Sequence, residues 1–166
     1  MSRGDDEFVE FSQAAWKRLV HAAYLMTGDH HRAEDAAQTA LARTYASWSR
    51  VRRQDAYAYT RRILVNHLTD LWRRPIREQP HDTVPDLPSQ HDVADEVSRR
   101  QWLLEALRTL APRERAVVVL RYYFDLSEAD VATELGISVG SVKSMGARGL
   151  ARLRVHNDRV SPGAAG

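Results

Sequence analysis

The sequence predicts an all-α protein of two small helical domains joined by a flexible, acidic, proline-containing linker. Every long apolar pattern in the 166 residues repeats at steps of three and four, and no stretch alternates as a half-buried strand would. Four prolines and six acidic residues fall within residues 75–96, where the apolar pattern stops. We therefore expect a first domain over 5–75, a linker over 76–96, a second domain over 97–156 and a disordered tail over 157–166.

Composition excludes several kinds of protein. The chain has no cysteine, which rules out disulfides, thiolate metal sites and cysteine nucleophiles. Its longest aliphatic run, residues 116–120, is far shorter than the ~20 residues of a membrane span, and no secretion signal opens the sequence. His30 and His31 are adjacent and point in different directions on a helix, which makes a poor metal site. We therefore expect a cytoplasmic protein with no metal, no cofactor and no membrane partner.

Basic and acidic residues are unevenly distributed along the chain. The 24 basic and 22 acidic residues give a net charge of +2, which is too small to identify a nucleic-acid binder. Residues 1–75 carry 12 basic and 9 acidic side chains, residues 76–97 carry 1 and 6, and residues 98–166 carry 11 and 7. Two basic segments therefore flank an acidic spacer whose like charges repel one another.

Three helices are predicted in the first domain. The first ends at Gly28, which suits a left-handed C-cap, and the second runs from about residue 31 to 48. The third starts near Asp55, a suitable N-cap, and stops before Pro75, while residues 49–54 form a polar, basic loop. The core-facing positions of the three helices are predicted to be Phe8, Phe11, Ala15, Leu19, Ala22 and Met26, then Ala37, Leu41, Thr44 and Trp48, then Tyr57, Leu64, Leu68 and Leu71.

Four more helices are predicted in the second domain. The apolar pattern of the fourth helix in the chain is made by Trp102, Leu103, Ala106, Leu107 and Leu110. Pro112 suits the first turn of the fifth helix, residues 113–124, because that turn tolerates a missing N–H. The buried positions of this helix are predicted to be Ala116, Val117, Leu120 and Phe124. Two short helices then surround Gly136.

Residues 127–154 match a helix-turn-helix motif position by position. Ser127 caps the first helix, Ala132 is small where the helices cross, and Gly136 supplies the positive φ of the turn. The apolar contacts of the motif fall on Val131, Leu135, Ile137, Val142 and Met145. Ser138 caps the second helix, whose exposed face offers Ser141, Lys143, Ser144 and Arg148. Such a helix fits the major groove of DNA, whereas the alternative is a helical hairpin with a solvated basic face.

A second segment, residues 48–62, mixes cations with aromatic side chains. These are Trp48, Arg50, Arg52, Arg53, Tyr57, Tyr59, Arg61 and Arg62. Cations follow phosphates and aromatic faces stack on exposed bases at ~1–3 kcal/mol each, which suits single-stranded nucleic acid. Trp48 and Tyr57 alternatively lie on faces that helix packing buries. Asn66 either satisfies backbone groups or contacts DNA, and Arg73–Arg74 either extend the basic face or complement a helix C-terminus.

These motifs resemble those of bacterial RNA polymerase sigma factors of the extracytoplasmic-function (ECF) type. Residues 106–144 (ALRTLAPRERAVVVLRYYFDLSEADVATELGISVGSVKS) resemble sigma region 4, and residues 33–48 and 55–74 resemble region 2. The order of region 2, variable linker and region 4, without other sigma regions, marks the ECF type. Tyr59–Thr60 stands where the family usually has Trp-Leu, and this variant of the helix resembles an actinobacterial subgroup called the SigE family.

The resemblance implies a factor that binds core RNA polymerase, at the β′ clamp helices and the β flap, and promoter DNA. It implies no enzyme activity, because nucleotidyl transfer belongs to the polymerase. In the family's pattern, the polymerase contacts of region 2 fall on Asp35, Gln38, Leu41 and Arg43. The contacts to the melted −10 strand fall on Trp48, Arg50, Arg52, Arg53, Tyr59, Arg62 and Asn66. The contacts of region 4 to the −35 duplex fall on Ser141, Lys143, Ser144 and Arg148, with Arg115 and Arg121 on phosphates.

The same resemblance allows an anti-sigma factor as a partner and association with the nucleoid when polymerase is bound. Two other classes of function compete with it. An autonomous helix-turn-helix regulator explains residues 98–155 but gives residues 8–74 no task. A helical adaptor that does not bind DNA would have no need of Lys143 and Arg148.

Overall fold

The computed structural model describes residues 2–73 and 94–160, and every regular element within them is helical. The chain divides into two compact units, Met1–Arg77 and Glu78–Gly166. Most of the predicted linker, Arg74 and the tail from residue 161 lie outside the described residues. None of the helices that the structure describes combines the length and apolar character that a membrane span requires.

Three helices form the first unit: α1 (Arg3–Thr27), α2 (His30–Ala46) and α3 (Ala56–Arg73). Ser2 and Asp5 form a capping box at the start of α1, with the Asp5 N–H donating to the Ser2 hydroxyl across 3.2 Å. Gly28 ends α1 with a φ of 68°, as predicted, and Asp29 then caps α2. The turn between α1 and α2 therefore needs only two residues.

The core of the first unit lies where α2 packs against both α1 and α3. Helix α2 contributes mainly small side chains, since Ala33, Ala36, Ala37 and Ala40 are all buried. The larger side chains come from the other two helices and include Leu19, Met26, Leu64 and Leu68. Leu71, predicted to be buried, is 38% exposed. The apolar pattern of α3 continues one turn past the part of the helix that packs in the core.

The connection between α2 and α3 differs from the prediction. Helix α2 ends at Ala46, two residues early, and a 3₁₀ turn covers Trp48–Arg50. A second 3₁₀ turn, Arg53–Asp55, leads directly into α3. We call residues 47–55 the connecting segment. It holds a defined backbone, with the Val51 N–H donating to the Ser47 carbonyl across 3.2 Å.

The second unit contains α4 (Ala94–Arg108), α5 (Pro112–Val118), α6 (Glu128–Leu135) and α7 (Val139–Val160). Pro112 occupies the first turn of α5, as predicted. The buried side chains come from all four helices and their connections, and include Ala106, Leu110, Val117, Leu120, Val131 and Val142. Helix α7 runs for 22 residues, so it is not short, and residues 157–160 of the predicted tail are helical.

Helix α5 is shorter than the predicted fifth helix. It gives way at Val119 to a π turn that ends at Tyr123, in which the Phe124 N–H donates to the Val119 carbonyl across 3.2 Å. The wider turn leaves Tyr122 and Tyr123 exposed and Phe124 only half-buried, so Phe124 is not the core residue that we predicted. Leu103 on α4 is also exposed, at 37%.

Candidate nucleic-acid interfaces

Helices α6 and α7 form the predicted helix-turn-helix in the second unit. The Ser127 hydroxyl caps α6 by accepting from the Asp130 N–H across 3.1 Å. Gly136 turns the chain with a φ of 64°, and the Ser138 hydroxyl accepts from the Ser141 N–H across 3.0 Å at the start of α7. Of the predicted apolar contacts, Val131, Leu135 and Val142 are buried, whereas Ile137 and Met145 are half-buried. These caps and contacts fix the geometry of the motif.

The first turns of α7 present a polar surface that we call the recognition face: Lys143, Ser144 and Arg148. All three side chains are exposed, and none makes a hydrogen bond or ion pair with another residue in the described part of the chain. Ser141 is half-buried, and its hydroxyl lies 2.9 Å from the Ser138 hydroxyl. Ser141 therefore supports the start of the helix, while the recognition face is available to a ligand.

Arg115 and Arg121, which we expected on phosphates, have hydrogen-bond partners within the chain. The Arg115 guanidinium donates to the Leu107 carbonyl across 2.8 Å and to the Leu110 carbonyl across 3.2 Å. Its partial burial lowers the pKa of Arg115. The Leu107 carbonyl lies in the last turn of α4, and the Leu110 carbonyl lies two residues beyond its end. The Arg121 guanidinium donates to the Leu126 carbonyl beyond the π turn. Both arginines therefore stabilise, through backbone carbonyls, the segments that precede the helix-turn-helix.

In the first unit, the connecting segment borders an open cavity of about 500 Å³. Its lining residues are Ser47, Arg50, Val51, Arg52, Asp55 and Tyr59. The side chains of Arg50, Arg52 and Tyr59 are exposed and make no hydrogen bond or ion pair within residues 2–73 and 94–160. Two cations and an aromatic ring at one concave surface suit a phosphate backbone and an unstacked base.

Helix α3 continues this surface away from the cavity. Tyr59, Arg62 and Asn66 are spaced three and four residues apart, which places them on one face of the helix, and all three are exposed. Arg62 takes part in a contact within the chain, whereas the Asn66 side chain makes no hydrogen bond to another described residue. The exposure of Asn66 argues against the structural role that the sequence left open and leaves its side chain accessible.

The structure contradicts the expectation that Trp48 stacks on a base. Trp48 is only 4% exposed and packs in an aromatic cluster with Phe8 and Phe11, whose ring centroids lie 5.2 and 5.3 Å from its own. Arg61, which the sequence placed among the cations of this segment, is likewise buried at 8% exposure. Tyr57 is half-buried beneath the Arg18 guanidinium, 4.4 Å from its ring centroid.

Arg53 also differs from the expectation, because its guanidinium is used within the chain. Its carbon lies 3.9 Å above the Trp48 ring centroid, and Nε donates to the Glu7 carboxylate across 2.8 Å. Nη1 donates to the carbonyls of Trp48 and Val51, each across 2.9 Å. Sequence reasoning missed Glu7, which lies 46 residues away in the chain. The only local feature that could have pointed to Glu7 is its position next to Phe8, which belongs to the apolar stripe of α1.

The residues predicted to bind polymerase lie on α2. The side chains of Asp35, Gln38 and Arg43 are exposed, and none makes a hydrogen bond or ion pair with another residue that the structure describes. Leu41 is only 9% exposed and faces the core of the first unit. The prediction for Leu41 is therefore corrected: its burial leaves little surface for a partner. No cluster of three histidine or carboxylate side chains within 2–73 and 94–160 is arranged to hold a metal ion.

Comparisons with known proteins match both units. Residues 14–77 match the family model described as sigma-70 region 2, and residues 100–153 match the model described as sigma-70 region 4. The chain is 39% identical over 150 residues to the RNA polymerase sigma-E factor of Streptomyces coelicolor, covering 89% of this chain and 84% of that protein. It is 30% identical to the ECF RNA polymerase sigma factor SigE of Mycolicibacterium smegmatis, covering 82% and 56%.

The fold is also found in a solved structure. The sigma factor RpoE of Bartonella quintana, crystallised with the anti-sigma factor NepR, is similar with a TM-score of 0.72. The similarity covers 91% of this chain and 96% of that chain, at 23% sequence identity. At this identity the likeness concerns the fold alone.

Proposed function

The chain belongs to the sigma-70 family of bacterial RNA polymerase sigma factors, in its ECF type, and we propose how its two helical units divide the recognition of a promoter. Factors of this family bind core RNA polymerase and promoter DNA and act in transcription initiation. We propose that residues 5–75 serve as region 2, residues 97–156 as region 4, and residues 76–96 as a linker that lets each half reach its own DNA element.

In the proposed division, the recognition face of α7 reads the −35 element as intact duplex. The side chains of Lys143 and Arg148 are exposed and make no hydrogen bond or ion pair with other described residues, so their donors are available to guanine edges and phosphates in the major groove. Ser144 between them offers a short hydroxyl donor and acceptor. Arg115 and Arg121 support this surface by donating hydrogen bonds to backbone carbonyls.

The first unit captures the −10 element as single-stranded DNA. The cavity beside the connecting segment receives an unstacked base, Tyr59 offers its ring, and Arg50 and Arg52 bind flanking phosphates. Arg62 and Asn66 extend the path of the strand along α3. Opening a duplex step requires a few kcal/mol, and stacking at ~1–3 kcal/mol per base together with phosphate contacts offsets it.

Polymerase binds elsewhere on the first unit. Asp35, Gln38 and Arg43 form the exposed polar side of α2, and we assign them to the β′ clamp helices, with the β flap assigned to the second unit. Polymerase carries out nucleotidyl transfer, so this chain contributes no catalytic residue and works in the cytoplasm, at the nucleoid. An anti-sigma factor is a further proposed partner, as the Bartonella quintana sigma factor has one.

One observation carries the proposal: the two segments that match sigma regions 2 and 4 each present exposed cations in the described residues. The sigma-factor assignment gives residues 8–74 a function, whereas an autonomous helix-turn-helix regulator would have none for them. Run-off transcription with purified core polymerase on genomic fragments tests it directly, since the wild-type chain should direct specific starts that core polymerase alone does not make.

Two double variants separate the proposed tasks. Arg50→Ala with Arg52→Ala should reduce permanganate reactivity of −10 thymines while leaving polymerase binding intact. Lys143→Ala with Arg148→Ala should reduce occupancy of the −35 element. Tight, sequence-specific duplex binding by the chain without polymerase would contradict the proposal and favour the autonomous regulator.

A further inference from the structure

The first turns of α1 lie against the connecting segment that borders the cavity. The Tyr45 hydroxyl, close to the start of this segment, donates to the Asp5 carboxylate across 2.6 Å. The Phe8 ring packs edge-on against Trp48, with centroids 5.2 Å apart. Between these two contacts, the Glu7 carboxylate binds Arg53 at 2.8 Å. Part of α1 therefore braces a segment that lies about 40 residues later in the chain.

Arg53 connects this brace to the backbone of the connecting segment. Its guanidinium is held on one face by the Trp48 ring and at Nε by Glu7. Nη1 donates hydrogen bonds to the carbonyls of Trp48 and Val51, which lie at the start and just after the end of the first 3₁₀ turn. Because the guanidinium is planar and its donors have fixed directions, fixing its face and one edge also fixes where its other donors point.

The carbonyls bonded by Arg53 belong to the part of the segment that forms the cavity. Val51 lines the cavity itself, and its neighbours Arg50 and Arg52 supply the two free cations. A segment without these bonds would have to be ordered when DNA binds, and the entropy lost would weaken binding. Holding the segment in advance removes that loss.

We propose that Glu7 is a positioning residue for capture of the melted −10 strand, acting through Arg53 to hold the connecting segment in its binding geometry. The proposal rests on the assignment of the cavity to the −10 strand. It gives Arg53 a role that its sequence position alone does not suggest, since the residue serves the DNA site without contacting DNA. Glu7 likewise does not contact DNA, because a carboxylate facing phosphates would repel them.

A double-mutant cycle tests whether Glu7 acts through Arg53. The measurement is the dissociation constant of the holoenzyme for a single-stranded −10 oligonucleotide, with Glu7→Ala, Arg53→Ala and the double variant compared with wild type. Each single variant should weaken binding about two- to fivefold, the range of partly exposed ion pairs, and the double variant should be no weaker than the weaker single variant. Glu7→Gln, which keeps an acceptor oxygen for Arg53, should recover part of the loss.

Glu10→Gln is the matched control, because Glu10 is an exposed acid on α1 with no ion pair among the described residues. It should bind the strand as wild type does. Losses that add in the double variant would overturn the proposal, as would equal effects of the Glu7 and Glu10 variants.

A second measurement uses the full chain without polymerase or DNA. The Arg53 Nε–H should exchange with water more slowly in wild type and Glu10→Gln than in Glu7→Ala, as seen by NMR. Equal exchange in all three proteins would overturn the proposed link. Failure of the wild-type holoenzyme to bind the strand would instead refute the −10 assignment, so the two claims fail separately.

Discussion

The recognition face of α7 and the connecting segment of the first unit solve the same problem in different ways. In α7, backbone hydrogen bonds and caps hold the main chain, so Lys143, Ser144 and Arg148 remain free for a ligand. The connecting segment has only two 3₁₀ turns, and its geometry depends on Trp48 and Arg53. A site on a helix spares its polar side chains, whereas a site on a loop uses some of them as supports.

The largest expected effect tests whether Trp48 is a support. Trp48→Ala should lower the free energy of unfolding of the first unit by about 3–5 kcal/mol, because it removes the ring at the centre of the aromatic cluster. Tyr59→Ala, which removes an exposed ring from the cavity, should change it by no more than about 0.5 kcal/mol. Denaturant titration followed by circular dichroism measures both.

The same pair of variants separates stability from binding. Tyr59→Ala should weaken binding of the −10 oligonucleotide by about 1–3 kcal/mol, the contribution of one stacked base. Similar stability losses for the two variants would show that the ring of Trp48 is not buried in solution.

The second prediction concerns the free side chains of α7. Lys143→Ala and Arg148→Ala should each weaken binding of −35 duplex by the holoenzyme by about 1–3 kcal/mol, and neither should measurably destabilise the second unit. Arg115→Ala is the informative contrast. It should leave −35 binding unchanged at a temperature where the unit is folded, but lower its stability by about 1–3 kcal/mol. Three carbonyls each lose the hydrogen bond from this guanidinium, although the Leu107 carbonyl still accepts from the Leu110 N–H. Loss of duplex affinity in folded Arg115→Ala would instead support the phosphate contact that the sequence predicted.

What the sequence predicts well in both regions depends on neighbouring residues. Gly28 and Gly136 adopt the predicted left-handed conformation, Pro112 starts a helix, and Ser127 and Ser138 cap theirs. Each of these features follows from residues within four positions of one another. Local chemistry therefore predicted the helix-turn-helix and the helix ends at Gly28, Pro112 and Gly136, but not the ends of α2, α5 and α7.

The errors arise where residues distant in the chain meet. The burial of Trp48 depends on Phe8 and Phe11, about 40 residues earlier, and the position of Arg53 depends on Glu7. No local pattern distinguishes a supporting arginine from Arg50 or Arg52 in the same segment. The π turn after α5 is a similar case, because the residues of 113–124 are compatible with a continuous helix and the break depends on packing in three dimensions.

The third prediction tests how closely α7 must approach α5. A Cβ at Gly149 would lie 2.7 Å from a methyl of Val118, whereas one at Gly146 would meet Val117 at 3.8 Å, an ordinary contact. Gly149→Ala should therefore destabilise the second unit by about 1–2 kcal/mol, after the better helix propensity of alanine is included. Gly146→Ala, on the same helix, should stabilise it by about 0.5–1 kcal/mol. Thermal unfolding of the two variants checks the contrast, and stabilisation by both would show that the helices lie further apart.

The smallest expected effect separates the two regions by their response to acid. Arg53 holds the pKa of the Glu7 carboxyl below its ordinary value of 4.5, and the Tyr45 hydroxyl holds the pKa of Asp5 below 3.8. A carboxyl whose pKa is lower in the folded state adds stability above its unfolded pKa, and that stability is lost as pH falls through the folded pKa. The brace should therefore loosen below about pH 4.5, whereas the recognition face, which has no described carboxylate partner, should not respond.

NMR titration of the Glu7 side-chain carboxyl, with amide exchange in residues 48–53 and 143–148, measures this difference. Arg53→Ala should bring the pKa of Glu7 back toward 4.5, because the donor that stabilises its charged form is gone. Asp5 should keep its lowered pKa in that variant, since its partner is Tyr45. A Glu7 carboxyl that titrates at its ordinary pKa in wild type would show that Arg53 does not bind Glu7 in solution. The connecting segment would then need another support, or its cations would all be free for a ligand, as those of the recognition face are.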